Sequence, residues 1–375
     1  MFGPSADSFF TSSFVDQIRQ NLSPAARPFL VAVVLAVIFV PVAIQASRRL
    51  GVIDHPGDGR RIHRQATPLL GGAAMYAAFA VAIFLSSGTA SLQGVLLLGA
   101  AATAILIIDD KWGMSAVVKL SVQLGLSLAA MLGPLPWLHD LITYLSLPYF
   151  GTVHLHWLAF PLTLFWLMGM QNAVNLLDGV DGLAAGVVAI VSVTLMIAAA
   201  GKGQTDVVVA TAALTGVCLG FLVFNFNPAR IFMGDSGSHF LGLTLALLSI
   251  LGVAKVAVGF ALLVPAIALG IPIVDTLTSI LRRRRRGDSI AHPDSEHIHH
   301  QLLDFGLSQR ETCMVIYAAT AILGAVGLML FGHRRILAVV IVFLVVVAST
   351  VLGERLQHST KRVKGRFLKR VLATD

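Results

Sequence analysis

The sequence predicts an all-α, polytopic integral membrane protein, and three observations lead there. Hydrophobic residues make up 56% of the 375 and charged residues only 12%. Mean hydropathy is +0.83, outside the balance of water-soluble domains. Apolar runs recur along the chain at a length that crosses a hydrocarbon layer of about 30 Å as helix. No strand-type alternation accompanies them, so a helical bundle is expected and a β-barrel is not.

In chain order the runs fall near residues 29–46, 69–86, 92–108, 117–132, 157–172, 183–200, 206–224, 238–253, 255–273, 313–331 and 336–352, which makes eleven spans. Little but Lys255 and Gly259 interrupts the stretch 238–273, so ten is the alternative count. Residues 1–28 lack the basic, apolar and small-residue succession of a cleaved signal peptide and read as an extracytoplasmic N-terminal segment. Residues 29–352 read as one transmembrane domain. Residues 353–375 read as a basic tail on the inner leaflet, where anionic lipid would be its partner.

Basic residues set the expected orientation. Of 27 Lys and Arg, 21 belong to connections or tail following odd-numbered spans. The other side holds only Arg19, Arg27, Lys202, Lys255, Arg334 and Arg335. The positive-inside rule then puts the N-terminus outside and the C-terminus in the cytoplasm. Arg282 to Arg286 fit this topological role. The net charge of +8 is confined to such loops, and no nucleic-acid signature accompanies it. Cys218 and Cys313 lie in apolar runs and read as buried thiols, not as a disulfide or metal pair.

The same parity gathers the polar clusters. Ile53 to Gly72, Ile108 to Leu120, Asn172 to Gly186, Asn225 to Gly242 and Asp288 to Leu303 all follow odd-numbered spans, so one composite cytoplasmic site is expected. In NAVNLLDGVDGLAAG, Asp178 and Asp181 are three apart, and on a helical turn they would share a face. Gly179 and Gly182 let the backbone turn and a ligand approach closely. Asp109-Asp110 closes the third span, where two carboxylates oppose the helix dipole and raise one another's pKa unless a cation compensates. A metal, a transferable proton, or Lys111 and Lys119 could do so. In NFNPARIFMGDSGSHFL, Gly234 and Gly237 flank Asp235 and leave its carboxylate accessible. Magnesium, which binds through one or two carboxylates plus phosphate oxygens, suits Asp235. His297 and His300 would share a helical face in HPDSEHIHHQLL; phosphate binding is favoured there over zinc, because no Cys or zinc-protease spacing is present. Arg60, Arg61 and Arg64 supply cationic donors ahead of Thr67-Pro68 and suit phosphate as well as topology.

Together these stretches resemble the polyprenyl-phosphate N-acetylhexosamine-1-phosphate transferase superfamily, from Arg48 to about Gln309. The resemblance rests on Asp109-Asp110, on N-x-x-N-x-x-D-G-x-D-G-L-A-x-G at Asn172 to Gly186, on N-P-A-x-x-F-M-G-D-x-G-S at Asn227 to Ser238, and on H-x-H-H at His297 to His300. The run Asp294, His297, His299, His300, Leu302, Leu303 is similar to the bacterial N-acetylglucosamine-1-phosphate branch. The peptidoglycan branch, acting on UDP-N-acetylmuramoyl-pentapeptide, usually has three consecutive histidines, and Ile298 splits that run here. Arg64 stands where that branch usually has Lys.

The resemblance implies transfer of a sugar-1-phosphate from a UDP-N-acetylhexosamine to undecaprenyl phosphate, with release of UMP. It implies a multi-pass protein of the bacterial inner membrane with its site on the cytoplasmic face, serving a cell-envelope glycopolymer such as O-antigen or teichoic acid, and a homodimer. It further implies Mg2+, with Mn2+ as a substitute, held by Asp235 and Asp110. Asp109, Asp110 and Asp235 are the expected catalytic residues. Asn172, Asn175, Asp178, Asp181, Asn227, Arg64 and Thr67 would contact the nucleotide sugar, His297, His299 and His300 its diphosphate, and Lys119 the lipid phosphate. The rival class is a secondary transporter, since membrane carboxylates often mark ion pathways. Transporters carry them near the bilayer midplane, often in repeated halves; here they stand at span ends, and no internal repeat is evident.

Overall fold

The computed structural model describes residues 20–54, 66–86, 90–133, 142–147, 151–252 and 308–330. Among them are nine α-helices: α1 (Ala26–Leu50), α2 (Gly71–Phe84), α3 (Gln93–Trp112), α4 (Ala116–Leu132), α5 (Ala159–Leu177), α6 (Leu183–Ala200), α7 (Thr205–Asn225), α8 (Gly234–Leu251) and α9 (Gln309–Leu330). Each coincides with one expected span. The spans expected at 255–273 and 336–352 lie outside the described residues. Among the described residues, five helices are long and apolar enough to cross a membrane, at Gln20–Leu50, Gln93–Trp112, Leu183–Ala200, Thr205–Asn225 and Gln309–Leu328. The protein is therefore an α-helical membrane protein.

Close packing rests on small residues, as expected where helices cannot gain from leaving water. On α7, a Cβ at Gly216 would meet the Phe29 carbonyl oxygen at 2.4 Å, and one at Gly220 would meet the Ala36 Cβ at 2.7 Å. These two glycines, four apart, let α7 lie against α1. Helix α8 is buried along nearly its whole length. A Cβ at Gly242 would meet the Gln171 Cα at 2.7 Å, which brings α5 against it, and one at Gly72 would meet the Gly237 nitrogen at 2.2 Å, which brings α2.

Two short antiparallel ribbons depart from the all-α expectation. Strand β1 (Ile53–Asp54) pairs with β2 (Thr67–Pro68), with Ile53 opposite Pro68 and Asp54 opposite Thr67. Strand β3 (Tyr144–Leu147) pairs with β4 (Gly151–His154) in the connection between α4 and α5. Two-residue strands are too short for a period-2 pattern to register, so sequence periodicity passes over β1 and β2. The Ser47 hydroxyl secures the first ribbon: it donates to the Val52 carbonyl and accepts from Leu69 N–H. The Phe232 N–H donates to the Pro68 carbonyl at 2.8 Å and ties β2 to the approach of α8.

The connections sort into two ends. At one, Gln204 Nε2 donates to the Leu251 carbonyl, Asn21 to the Ala200 carbonyl, and Ser91 to Asp206. At the other, the chain around Gly72, Asp110, Lys119, Asn175, Asp181, Asn227 and Asp235 is joined by the hydrogen bonds below. Four of the five expected polar clusters thus meet at one end of the bundle. The fifth, Asp288 to Leu303, lies outside the described residues.

Candidate active site

The site begins where α3 ends. Gly113 reverses the chain with φ +72°, and the Asp109 carboxylate holds that reversal by accepting from Met114 N–H at 2.5 Å. Its other oxygen faces Lys119, one turn into α4, at 2.7 Å. The Lys119 ammonium also donates to Asp235 Oδ2. One ammonium therefore bridges two carboxylates on different helices, brought together from residues 109, 119 and 235.

Asp110 resolves the unfavourable dipole position that the sequence gives it. At the C-terminus of α3 its charge opposes that helix. Its oxygens, however, accept from Asp235 N–H at 2.7 Å and Ser236 N–H at 3.3 Å, so it caps the N-terminus of α8. Gly234 makes room for this, because a Cβ there would lie 2.5 Å from Asp110 Oδ1 and 2.6 Å from Oδ2.

Asp235, in the first turn of α8, has both oxygens oriented. Asn175 Nδ2 donates to Oδ1 at 2.7 Å and to the Ser238 hydroxyl at 3.0 Å. Asp178 caps the C-terminus of α5. Enclosure by protein, then the like charges of Asp235, Asp110 and Asp181, push its pKa well above the ordinary carboxylate range.

The neighbouring loops are knotted around Asp181. Its Oδ2 accepts from Asn227 Nδ2 and Ala229 N–H, each at 3.0 Å. Buried Asn225 accepts from Gly182 N–H at 3.0 Å and donates to the Ile231 carbonyl at 2.9 Å. The start of α9 closes the knot. Arg310 donates twice to the Asn227 carbonyl, at 2.8 and 2.6 Å, and Tyr317 donates to the Gly182 carbonyl at 2.6 Å.

Of the residues expected from sequence, Asp109, Asp110, Lys119, Asn175 and Asp235 are joined directly, with Asp178 beside them. Asp181 and Asn227 belong to the adjoining knot. Asn172 exchanges hydrogen bonds with Gln123, and Thr67 is buried in β2. Arg64, His297, His299 and His300 lie outside the described residues. Gln123, Ser236, Ser238, Arg310 and Tyr317 were missed. Gln123 had a signal: with Lys119 and Ser127 it forms a polar i, i+4, i+8 stripe in an apolar span.

The donors are hard oxygens: among the described residues Asp109 and Asp235 share the one Lys119 ammonium and Asp110 lies against the Asp235 N–H, three carboxylates to one cation, while Asp178 beside them has its pKa raised by burial. Such a balance repels an anionic ligand unless a cation joins it. Among the described residues no three His, Cys, Asp or Glu side chains form a complete metal cage. Magnesium does not need one, since substrate oxygens and water complete its shell. Each carboxylate has about four acceptor positions, so Asp235 and Asp110 retain capacity beyond their protein partners.

Residues 92–253 match the family described as glycosyl transferase family 4. A Bacillus subtilis protein named "Probable undecaprenyl-phosphate N-acetylglucosaminyl 1-phosphate transferase" is 36% identical over 330 residues, covering 87% of this chain and 90% of that one. The chain belongs to glycosyl transferase family 4. A Mycobacterium tuberculosis decaprenyl-phosphate N-acetylglucosaminephosphotransferase is 34% identical, with 82% of each chain covered. A Synechococcus phospho-N-acetylmuramoyl-pentapeptide-transferase is 36% identical, covering 84% of this chain and 94% of that one. The matched region of this glycosyl transferase family 4 chain runs from the start of α3 past the end of α8. It contains Asp109, Asp110, Lys119, Asn175, Asp178 and Asp235, whereas α9 and the β1–β2 ribbon lie outside it.

Proposed function

We propose that this protein transfers N-acetylglucosamine-1-phosphate from UDP-N-acetylglucosamine to undecaprenyl phosphate, giving undecaprenyl-diphospho-N-acetylglucosamine and UMP. The observation that carries this reading is the bridge from Asp109 through Lys119 to Asp235, with Asp110 and Asn175 fixing Asp235 from two other helices. Relatives named for this transfer to undecaprenyl and decaprenyl phosphate support it. His297-Ile298-His299-His300, which lacks three consecutive histidines, favours N-acetylglucosamine over the muramoyl-pentapeptide donor.

Chemically, an oxygen of the lipid phosphate bonds to the sugar-bearing phosphorus, and the bond from that phosphorus to the bridging oxygen breaks and leaves with UMP. Lys119 offsets negative charge where the two anionic groups meet and orients the lipid phosphate. A phosphate monoester has its second pKa near ~6, so Asp109 takes up the last proton or aligns the attacking oxygen. Asn175 holds Asp235 toward the diphosphate, and Asp178 contacts the nucleotide-sugar side. Mg2+ bound at Asp235 and Asp110 would neutralise the diphosphate and the departing UMP. The basic residues after odd-numbered spans support a cytoplasmic position for this end of the bundle, the side where UDP-sugars are found.

Purified protein is incubated with UDP-N-acetylglucosamine, undecaprenyl phosphate and Mg2+, and UMP release is followed. Release that stops with EDTA and with Asp235→Ala supports the reading. Equal release by Asp235→Ala overturns the magnesium assignment, and preference for UDP-N-acetylmuramoyl-pentapeptide in a donor panel overturns the sugar assignment. Unchanged UDP-N-acetylglucosamine accumulating in liposomes would identify a transporter.

A further inference from the structure

We propose that Gln123 and Asn172 are positioning residues for the transfer: their reciprocal amide pair fixes the rotation of α4 against α5 and so holds Lys119 between Asp109 and Asp235. The role in catalysis rests on the transferase reading; the geometry of the pair does not. Asn172 Nδ2 donates to Gln123 Oε1 at 2.7 Å, and Gln123 Nε2 donates back to Asn172 Oδ1 at 3.3 Å. Asn172 Nδ2 also donates to the Met168 carbonyl at 2.8 Å, so both donors of this amide are used within the protein. Gln123 is 2% exposed.

The pair sits where rotation has the largest effect. Lys119, Gln123 and Ser127 are spaced by four and share one face of α4. Gln171 Nε2 reaches Ser127 Oγ at 3.4 Å, continuing the seam by another turn. On the outer side of α4, Val117 is 73% exposed, Leu120 48% and Leu124 38%, so packing there does little to fix its angle. On α5, Asn172 faces α4 while Asn175, three residues on, donates to Asp235 Oδ1. Lys119 and Asn175 therefore address the two oxygens of one carboxylate, and the Gln123–Asn172 pair sets the relation between the helices that carry them. A rotation of α4 by about 25° displaces a side-chain base by about 1 Å, given an α-helix Cα radius near 2.3 Å. Displacements of that size lower catalysis on the order of 10²-fold.

The test compares wild type with Gln123→Leu/Asn172→Leu and with the swapped pair Gln123→Asn/Asn172→Gln. Replacing both amides by apolar groups leaves no unpaired polar group, so the double-leucine protein is expected to unfold near the wild-type temperature. Spin labels at Ser121→Cys and Phe165→Cys, both exposed, report the α4–α5 distance by double electron–electron resonance. The native Cys218 and Cys313 are both buried. The double-leucine protein is expected to show a broadened or shifted distance and at least a tenfold lower kcat, with the KM for UDP-N-acetylglucosamine within about twofold. The swapped pair is expected to recover both. Wild-type kcat in the double-leucine protein overturns the proposal, as does kcat changing without the distance. Should that protein not fold, Gln123→Met decides: a shifted distance with a lower kcat supports the proposal, and an unchanged distance or an unchanged kcat overturns it. Wild type failing to release UMP would sink the transferase reading instead, while the distance still reports whether the pair fixes α4.

Discussion

Gly234→Ala tests the contact on which the site's assembly depends. Gly234 has φ +69°, and a Cβ there would stand 2.5 and 2.6 Å from the two Asp110 oxygens. The left-handed backbone alone disfavours alanine by about 1–2 kcal/mol. Pushing the carboxylate away also weakens its bonds from Asp235 and Ser236 N–H, and a hydrogen bond to a charged group is worth about 1.5–3 kcal/mol. Losing most of one such bond brings the total to about 2–5 kcal/mol. The control is Gly51→Ala, at φ +68° with nothing within 4 Å of its Cβ, which should show the backbone penalty alone. Apparent unfolding temperatures in detergent and UMP release are measured for both. Gly234→Ala should unfold at a clearly lower temperature than Gly51→Ala and lose activity on the order of 10²-fold as Asp235 shifts. Adding Asp110→Ala to Gly234→Ala removes the clashing atoms, so the two changes should be less than additive. Equal behaviour of the two glycine variants, or strict additivity with Asp110→Ala, would refute the capping argument.

Three further outcomes are expected. Lys119→Met leaves Asp109 and Asp235 facing each other without their shared cation, and kcat for UMP release should fall at least tenfold while Lys119→Arg retains more; equal kcat in Met and Arg variants would show that the charge is dispensable. Asp178, whose pKa is raised on folding, holds its proton longer in the folded than the unfolded state. Its contribution is complete below about pH 4 and is lost as pH rises through the folded pKa; unfolding temperatures without substrate should therefore fall with pH above that, and less so in Asp178→Asn, with parallel slopes counting against the assignment. Gly186→Ala would put a Cβ 2.0 Å from the Tyr317 ring, so it should destabilise the protein and Tyr317→Ala should partly restore it. A Gly186→Ala protein as stable as wild type would show that α9 yields there without consequence.

Much of this protein was legible in its sequence because a bilayer is a uniform solvent. Helices that cross it must be continuous and apolar, and nine of the expected spans coincide with described helices for that reason. Polar side chains interrupting such spans are expensive without a partner, so Asp109, Asp110, Lys119, Asn175 and Asp235 stood out and were found together. The same uniformity hides what lies inside. Core-facing and lipid-facing sides of these helices are equally apolar, so the pattern does not reveal which way a helix turns.

Partner choice, by contrast, depends on that rotation, and only the tertiary structure decided it. Asp110 reads as a carboxylate at the wrong end of its own helix, and becomes a cap because α8 begins beside it. Asn172 sits in the same motif as Asn175, yet three residues turn the helix by about 300°, and the offset of about 60° sends one to Gln123 and the other to Asp235. The sequence determined that the chain spans a membrane as helices and that its acids gather at one end. Which acid holds a helix, which meets a cation and which amide merely steers its neighbour followed from contacts such as Asn172–Gln123, Lys119–Asp235 and Asp110–Ser236, 49, 116 and 126 positions apart, and such contacts exist only once the helices have packed.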